Sequence, residues 1–397
     1  MGVTVHPLQN RTSNVEPRTS NFSGFDVGSS ILALDVKFIS SAFRRALSVW
    51  FRHHKRDLPW RHSRDPYAIL VSEIMLQQTQ AACVVPYYNS WLRRFPSLRS
   101  LAAATESDVL HAWQGLGYYA RARNLHRCAQ IIVKKFGGNF PSNPDELKLL
   151  PGIGRYTANA VGVFAFGKSL AIVEANTARV LARLFNIRTP IDSALGRRKL
   201  WDASAQLVSK NSARDFQNAM MDLGALVCTV RDPNCRICPV KKFCRVRLPG
   251  SLPRKRKRPA IVPLIESHGL CTAANAVLLE RCRHRWRGMW MLPQLKRDYF
   301  KQSTSRIRPV HTSVFPFTHH RVTLRVYRHR PNQIDHCGKR WFSKKELETI
   351  PIPSPHRRVL AHLLNARTRT PPVTSPRGKT INTARSSAPP ASLMAGF

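Results

Sequence analysis

Residues 149–158 read LLPGIGRYTA, a stretch in which two helical segments meet at a tight turn. Gly152 and Gly154 lack a Cβ atom, so the backbone can turn sharply there and approach a ligand closely. The N–H groups of such a turn, together with the positive N-terminal end of the following helix, can hold a phosphate. A turn of this kind grips the DNA backbone without reading base sequence. An ordinary turn between two helices is the alternative for this stretch alone.

Two carboxylates lie on either side of this turn along the chain. Glu73 stands in SEIMLQQTQ (residues 72–80) beside apolar residues, which predicts a largely buried helix. A carboxyl in such surroundings has a raised pKa and suits proton donation, whereas a surface salt bridge is the alternative. Glu174 stands in IVEANTARV (residues 172–180) just before a predicted helix, where a negative charge at the helix N-terminus is the simpler interpretation.

Four cysteines lie within one short segment, Cys228, Cys235, Cys238 and Cys244. Thiolates from a compact loop can converge on one centre, and this spacing suits a single [4Fe–4S] cluster. Zinc sites usually pair two C-x2-C knuckles far apart in sequence, and only one such pair is present. A zinc site and free or disulfide-bonded thiols are the two alternatives.

The 397-residue chain carries a formal net charge of +42, which is spread over both halves outside the N-terminal tail. A single-signed excess of this size indicates a polyanionic partner such as nucleic acid. No apolar run is long enough to span a bilayer, and no secretory signal is visible at the N-terminus. Reduced thiols then predict a cytoplasmic, nucleoid-associated location, or a nuclear one if the source is eukaryotic.

The sequence pattern changes along the chain and predicts two domains with tails. Apolar spacing of three and four predicts helices in the first domain, and short alternating runs predict an α+β second domain. The linker holds RKRKR at 254–258, which contacts DNA phosphates or serves as a nuclear localisation signal. The predicted segments are a disordered tail (1–36), a helical domain (37–248), a basic linker (249–263), an α+β domain (264–365) and a second disordered tail (366–397).

Taken together, these motifs resemble a known family. The cysteine spacing, LPGIG, SEIMLQQTQ, GLGYY at 115–119 and DLPWR at 57–61 are similar to the adenine DNA glycosylases of the MutY family. That family belongs with endonuclease III to the helix-hairpin-helix glycosylases. The resemblance covers about residues 40 to 247, and more weakly 264–365. It implies an all-α helix-hairpin-helix glycosylase core with a [4Fe–4S] loop at 228–244, followed by a smaller α+β Nudix-like domain.

The resemblance also implies an activity. Family members act in base excision repair and remove adenine mispaired with 8-oxoguanine or guanine in double-stranded DNA. Glu73 would protonate N7 of the flipped adenine, and Glu174 and Tyr156, with Asn176, would complete the catalytic set. Strand-cleaving relatives place a lysine where this chain has Tyr156, so we expect a monofunctional enzyme. The expected protein is a monomer with one [4Fe–4S] cluster on the four cysteines and no membrane association.

Residues that contact DNA or the base follow from the same resemblance. The 8-oxoguanine-reading residues stand in a segment whose plainer interpretation is a turn at the end of a strand. The implied contacts are Arg56, Leu58, Trp60 and Asn218 around adenine, Gln78 and Tyr118 as wedges in the base stack, Gly152 and Gly154 at the backbone, and Phe317, Thr318 and His319 at the oxidised guanine.

Two residues depart from the family pattern. Glu174 stands where relatives carry Asp in a D-G-N motif, so its carboxylate lies one methylene further out. Asn218 stands where many relatives carry Glu or Gln. Two other hypotheses remain open. A bifunctional oxidised-base glycosylase/lyase is disfavoured by Tyr156, and a non-catalytic lesion-binding homologue is supported by Glu174 alone.

Overall fold

The computed structural model describes residues 27–208, 212–257, 259–295, 307–330 and 338–365. Most of the two predicted tails, residues 1–26 and 366–397, therefore falls outside the described residues. The chain forms two compact units, residues 1–260 and 261–397. Of the helices that the structure describes, none has the length and apolar character needed to cross a membrane.

The described part of the first unit consists of α-helices and short 3₁₀ turns, without strands. The helical class predicted for it is confirmed. The first helix begins ten residues before the predicted domain start at residue 37, because the chain holds neither Gly nor Pro between residues 29 and 58. The helices are α1 (Val27–His54), α2 (Pro66–Leu76), α3 (Ala81–Arg94), α4 (Leu98–Ala103), α5 (Glu106–Ala112), α6 (Ala120–Phe136), α7 (Pro144–Lys148), α8 (Arg155–Phe164), α9 (Ala175–Leu184), α10 (Ala194–Leu207) and α11 (Ala213–Leu226).

Helix α2 lies at the centre of this unit. Its residues from Tyr67 to Met75 are all buried, and it packs against α3, α6 and α8. The helix begins at Asp65, whose carboxylate accepts hydrogen bonds from the N–H groups of Tyr67 and Ala68. A polar side chain on α2 is therefore held away from water.

Helices α9 and α11 touch at Gly224. A Cβ atom at this position would lie 2.7 Å from Cβ of Asn176 and 3.0 Å from its carbonyl oxygen. Both helices belong to one apolar core with α1 and α10, in which Leu47 and Leu181 are fully buried. The small residue lets the two helices approach, which places Asn176 beside α11.

Residues 249–256 of the predicted linker lie against the helical unit. Nε of Arg183 donates to the carbonyl oxygens of Pro249 (2.9 Å) and Leu252 (3.0 Å). The backbone N–H of Arg256 donates to the carboxylate of Asp192 at 3.0 Å. Hydrogen bonding thus extends the folded first unit beyond residue 248.

The described part of the second unit contains two sheets and two helices, so the predicted α+β class is confirmed. One sheet has the strand order β1-β6-β5, with β1 parallel to β6; in the other, β3 pairs with β2, β4 and β7. The elements are β1 (Val262–Leu270), β2 (Thr272–Ala273), β3 (Ala276–Arg281), β4 (Trp290–Met291), β5 (His311–Phe317), β6 (His320–Arg328), β7 (Lys339–Ser343), α12 (Lys344–Thr349) and α13 (Ser354–Asn365).

Strand β1 is not predicted by the sequence pattern. Its residues, VPLIESHGL, include Pro263 and Gly269 and lack strict alternation. Pro is tolerated on an edge strand because one side of that strand makes no ladder hydrogen bonds. β1 is the edge of its sheet, and its nine residues pair in register with β6.

The contact at Gly224 makes a testable prediction. We expect Gly224→Ala to lower the free energy of unfolding by about 1–2 kcal/mol, because overpacking outweighs the gain of about 1 kcal/mol in helix propensity. Urea unfolding of the two proteins measures the difference. Gly250→Ala is the control, since a Cβ there meets no atom within 4 Å. Equal losses in both variants would contradict the close helix contact.

Candidate active site

A buried carboxyl group meets the phenol of a partly buried tyrosine in the first unit. Glu73 on α2 is 4% exposed, and the hydroxyl of Tyr156 on α8 donates to its Oε2 at 2.6 Å. Tyr156 lies in the first turn of α8, directly after the turn that Gly152 and Gly154 form. The turn therefore delivers the phenol to a carboxyl group 83 residues earlier in the chain.

The surroundings of Glu73 favour its neutral form. Burial raises the pKa of this carboxyl to about 7, the hydrogen bond from Tyr156 opposes the rise, and the charge of Glu174 adds to it. Burial and the two carboxylates also raise the pKa of Tyr156 well above its ordinary value, so the phenol stays a donor. A carboxyl group with a pKa near neutrality can give up a proton at physiological pH.

Glu73 and Tyr156 line a cavity of about 70 Å³. The structure brings all four residues predicted to surround adenine to this same cavity. Its remaining lining residues were not predicted, and they combine apolar side chains with two arginines and one serine. The predicted lining residues are Arg56, Leu58, Trp60 and Asn218; the others are Arg61, Ile69, Ser72, Leu76, Ala81, Phe164, Arg214 and Met221.

Asp222 is a functional candidate that the sequence analysis missed. Its side chain is fully buried, and its carboxylate accepts two hydrogen bonds from the guanidinium of Arg61 at 2.8 Å each. Nε of Arg56 donates to the same carboxylate at 2.7 Å. Burial alone would raise the pKa of Asp222, but the two arginines hold it below its ordinary value. An acid within the apolar run AMMDLGAL is the signal that could have revealed this pair of buried ion contacts.

Glu174 caps helix α9. Its Oε2 accepts from the N–H of Asn176 at 2.7 Å, and its Oε1 accepts from the N–H of Thr177 at 2.7 Å. The side-chain amide oxygen of Asn176 in turn accepts from Arg179 at 2.8 Å. Glu174 also lies close enough to Glu73 and Tyr156 to act on both electrostatically. It is therefore both a helix cap and a neighbour of the buried carboxyl.

The two predicted wedge residues lie on loops outside this cavity lining. Gln78 follows α2 and is exposed, and Tyr118 precedes α6 and is 51% exposed. Both have left-handed backbone conformations, with φ of 57° and 47°. At the predicted phosphate-binding turn, Gly152 has φ of 78°. Gly154 has an extended backbone conformation with φ of −93°, which any residue can adopt, and a Cβ atom there would meet no atom within 4 Å.

The predicted guanine-reading residues lie in the second unit. Thr318 and His319 form the turn between β5 and β6, and Thr318 has φ of 52°. The guanidinium of Arg285 lies between the rings of Phe317 (4.5 Å) and Trp286 (4.4 Å). Arg285 thus supports the base of this turn.

The four clustered cysteines carry free, partly buried thiols. Burial raises the pKa of Cys238 to about 11, and the charges of Cys228, Cys244 and Cys235 contribute to the rise. The thiols are therefore near enough to one another to interact. Nη1 of Arg183 lies 3.2 Å from Sγ of Cys228 and can donate to it.

Within the described ranges, no three His, Cys, Asp or Glu side chains are gathered tightly enough to hold one metal ion. A single zinc ion would need its sulfur ligands about 3.8 Å apart, given a Zn–S bond of about 2.3 Å. Four neighbouring thiols in one loop match in number the four thiolates that an iron–sulfur cluster takes, one at each iron.

The raised pKa of Glu73 predicts how stability depends on pH. The penalty for ionising a buried carboxyl is absent below its unfolded pKa of about 4.5, grows as pH rises to about 7, and then stays constant at about 3 kcal/mol. We therefore expect Glu73→Gln to stabilise the protein more at pH 8 than at pH 5, measured by denaturant unfolding. The control Glu146→Gln changes an exposed carboxyl. Equal effects of Glu73→Gln at both pH values would contradict the burial argument.

Comparison with known proteins places this site in a family. Residues 71–206 match the family described as HhH-GPD superfamily base excision DNA repair protein. The chain is 35% identical over 263 residues to the adenine DNA glycosylase of Buchnera aphidicola subsp. Baizongia pistaciae, covering 64% of this chain and 74% of that protein. It is 43% identical over 202 residues to that of Mycolicibacterium smegmatis, covering 51% and 68%.

The human adenine DNA glycosylase is 44% identical over 216 residues, which is 52% of this chain and 40% of that protein. The chain thus matches less than half of the length of this relative. A solved thermostable thymine-DNA glycosylase is 32% identical with a TM-score of 0.48, covering 53% of this chain and 96% of that one. Because it is 35% and 43% identical to two adenine DNA glycosylases of which it covers 74% and 68%, the chain belongs to the adenine DNA glycosylase family.

Proposed function

We propose that this protein is a monofunctional DNA glycosylase that excises adenine mispaired with 8-oxoguanine or guanine. The observation that carries the proposal is the carboxyl group of Glu73, which is buried, has a pKa near 7 and faces the cavity beside Tyr156. Its proton is available at neutral pH in a place that a flipped base can enter. The curated relatives are named adenine DNA glycosylases, which supports adenine as that base.

The cavity suits a planar base that has left the stack. Extrusion costs a few kcal/mol, and contacts to the flipped base offset this cost. Leu58 and Trp60 offer apolar surface, and the amide of Asn218 offers hydrogen bonds to the polar edge. Asp222 holds Arg56 at the rim through a direct ion pair. We assign Arg56 a position beside the base, and we propose that Asp222 orients the Arg56 side chain.

In the reaction, Glu73 donates its proton to N7 of adenine, so the C1′–N9 bond breaks with the neutral base as leaving group. The sugar becomes an oxocarbenium ion, which a fixed negative charge stabilises. Glu73, now a carboxylate, orients the water that attacks C1′ and takes up the proton that this water releases. Glu174 supplies the second negative charge, and its two backbone hydrogen bonds hold it in place before the reaction.

The glutamate at 174 affects rate rather than mechanism in this proposal. Its longer side chain reaches back to cap α9, so the charge is retained but its position differs from that of an aspartate. A small displacement of a stabilising group can cost about 100-fold in rate. If the displaced carboxylate abolished base release altogether, the protein would be the non-catalytic lesion binder of the alternative hypothesis.

Tyr156 supports the monofunctional mode. A phenol cannot form the imine that a strand-cleaving lyase requires, and its hydroxyl is already committed to Glu73. Among the described residues, the cavity lining contains no lysine. The product would then be an abasic site on an intact strand.

We assign recognition of 8-oxoguanine to the β5–β6 turn of a Nudix-like second domain. Thr318 is exposed at the tip, where its hydroxyl donates to the carbonyl oxygen of Phe317 at 2.7 Å, and the guanidinium of Arg285 contacts the Phe317 ring. The positive charge of both halves supports double-stranded DNA as the partner. We propose that a monomer binds it in the cytoplasm at the nucleoid or, in a eukaryote, in the nucleus.

We further propose that Cys228, Cys235, Cys238 and Cys244 hold one [4Fe–4S] cluster. When bound, the cluster would cross-link four points of a loop that has little regular structure of its own. Arg183 lies beside the first of these cysteines and would offset the negative charge of the thiolates. The ordered loop would present exposed Arg236, Lys241 and Lys242 to DNA phosphates.

A single-turnover assay on duplex containing A opposite 8-oxoguanine tests the function. We expect alkali-dependent strand cleavage with wild type, no base release with Glu73→Gln, and release about 10-fold or more faster with Glu174→Asp, because the carboxylate returns to its usual reach. Borohydride should trap no covalent complex.

The outcomes separate the hypotheses. Trapping with borohydride would indicate a lyase, whereas tight binding without base loss in wild type would indicate a lesion binder. Unchanged release by Glu73→Gln would overturn the assignment of the acid.

The cluster makes a separate prediction. Protein purified without oxygen should contain about four iron atoms per chain and absorb broadly in the visible range. We expect Cys238→Ser to lose most of this iron and to weaken DNA binding, because the loop loses an anchor. Cys83→Ser is the control, since Cys83 is exposed and lies outside the loop. Stoichiometric zinc in place of iron would contradict the proposal.

A further inference from the structure

We propose that Arg121 is a positioning residue that joins the loops carrying the two wedge residues, Gln78 and Tyr118. Its hydrogen bonds would fix the conformation of both residues before DNA binds. This inference rests on the proposed function and on the family resemblance, which implies that Gln78 and Tyr118 enter the base stack. It adds a residue that the reaction itself does not use. The loops in question are residues 77–79, after α2, and residues 115–118, before α6.

The guanidinium of Arg121 binds the first loop through carbonyl oxygens. Arg121 lies in the first turn of α6 and is 9% exposed. Its Nη1 donates to the carbonyl oxygens of Ile74 (2.9 Å), Met75 (3.0 Å) and Gln77 (2.5 Å). The last carbonyl groups of a helix lack partners within the helix, so this contact completes the C-terminal end of α2.

The same guanidinium binds the second loop with its other nitrogen. Nη2 donates to the carbonyl oxygens of Leu116 at 2.9 Å and Gly117 at 3.2 Å. The hydroxyl of Thr79 lies 3.4–3.5 Å from both nitrogens. One planar cation therefore joins two loops that come from different parts of the chain.

Each loop holds its wedge in a conformation that the residue alone disfavours. Gln78 and Tyr118 have φ of 57° and 47°, and a left-handed conformation costs a non-glycine residue about 1–2 kcal/mol. Such conformations persist only where the surroundings enforce them. Arg121 binds the carbonyl oxygen of the residue directly before each wedge, Gln77 and Gly117, which is where enforcement must act.

Arg121 also orients an aromatic side chain. Its guanidinium lies 5.6 Å from the ring of Tyr118 and 5.3 Å from the buried ring of Trp113. Burial lowers the pKa of Arg121 to about 10, so the group remains charged at neutral pH. A lysine would keep the charge but lacks the planar fork that serves two loops at once.

This arrangement predicts a role in extrusion rather than in bond cleavage. Wedges that are ordered in advance lose less conformational freedom when they enter the stack, so more of the contact energy is available to hold the base out. Weakening the hydrogen bonds between Arg121 and the two loops should shift the extrusion equilibrium toward the state in which the base is stacked in the duplex.

Base extrusion can be measured without chemistry. In a Glu73→Gln background, a duplex with 2-aminopurine opposite 8-oxoguanine reports extrusion as a rise in fluorescence. We expect Arg121→Lys and Arg121→Met to reduce the extrusion equilibrium constant at least 10-fold. Arg127→Met on the exposed side of the same helix is the control and should leave it unchanged. An unchanged constant in both Arg121 variants would overturn the proposal.

A double-mutant cycle separates positioning from general stability. If Arg121 acts through the wedges, Arg121→Lys should change extrusion less than 2-fold in a Gln78→Ala/Tyr118→Ala background, because the groups it positions are already gone. A loss as large as that seen with intact wedges would overturn the positioning role.

Hydrogen exchange on the free protein distinguishes this inference from the proposed function. Arg121→Lys should speed exchange of amides in both wedge loops together, and Arg127→Met should not. If the wild-type protein neither extrudes nor excises the base, the proposed function fails. Hydrogen exchange would still test whether Arg121 orders the two loops. If either loop of the Arg121→Lys variant still exchanged as slowly as in the wild-type protein, the positioning role of Arg121 would be overturned.

Discussion

The hydrogen bond between the Tyr156 hydroxyl and the Glu73 carboxyl depends on the exclusion of water, and most of the helical unit serves that exclusion. A carboxyl group in water loses its proton well below neutral pH, so a proton donor must be buried. Helix α2 is buried along nearly its whole length by α3, α6 and α8. The turn before α8 then brings the phenol to this buried carboxyl group, whose Oε2 accepts its hydrogen bond.

Buried charges elsewhere in this unit follow a common rule, in which each charged group meets several fixed partners. Asp222 is met by two arginines at the cavity, whereas Arg121 and Arg183 are met mainly by carbonyl oxygens of loops. Removing a charge from water is costly unless the protein supplies such partners. A planar guanidinium satisfies several carbonyl groups at once, so these arginines order segments that lack regular structure.

Glu174 shows that a structural and a catalytic interpretation of one residue are compatible. The carboxylate caps α9 through two N–H groups, which is what a charge before a helix predicts. The same bonds fix the position of a negative charge near Glu73. A group that must stabilise developing charge benefits from being held in place, so the cap is also a form of preorganisation.

Local signals in the chain were enough to predict the helical class, the burial of Glu73 and the family, namely apolar spacing, a glycine turn and compact motifs. The start of α1 and the presence of β1 were less predictable. An edge strand that contains Pro, such as β1, forms only when β6 lies beside it. Tertiary structure alone decided which distant side chains meet. Asp222 lies 166 residues from Arg56, and Arg121 lies 44 residues from Gln77. Such pairs leave no periodic trace in the chain, because they depend on how packed helices bring their ends together.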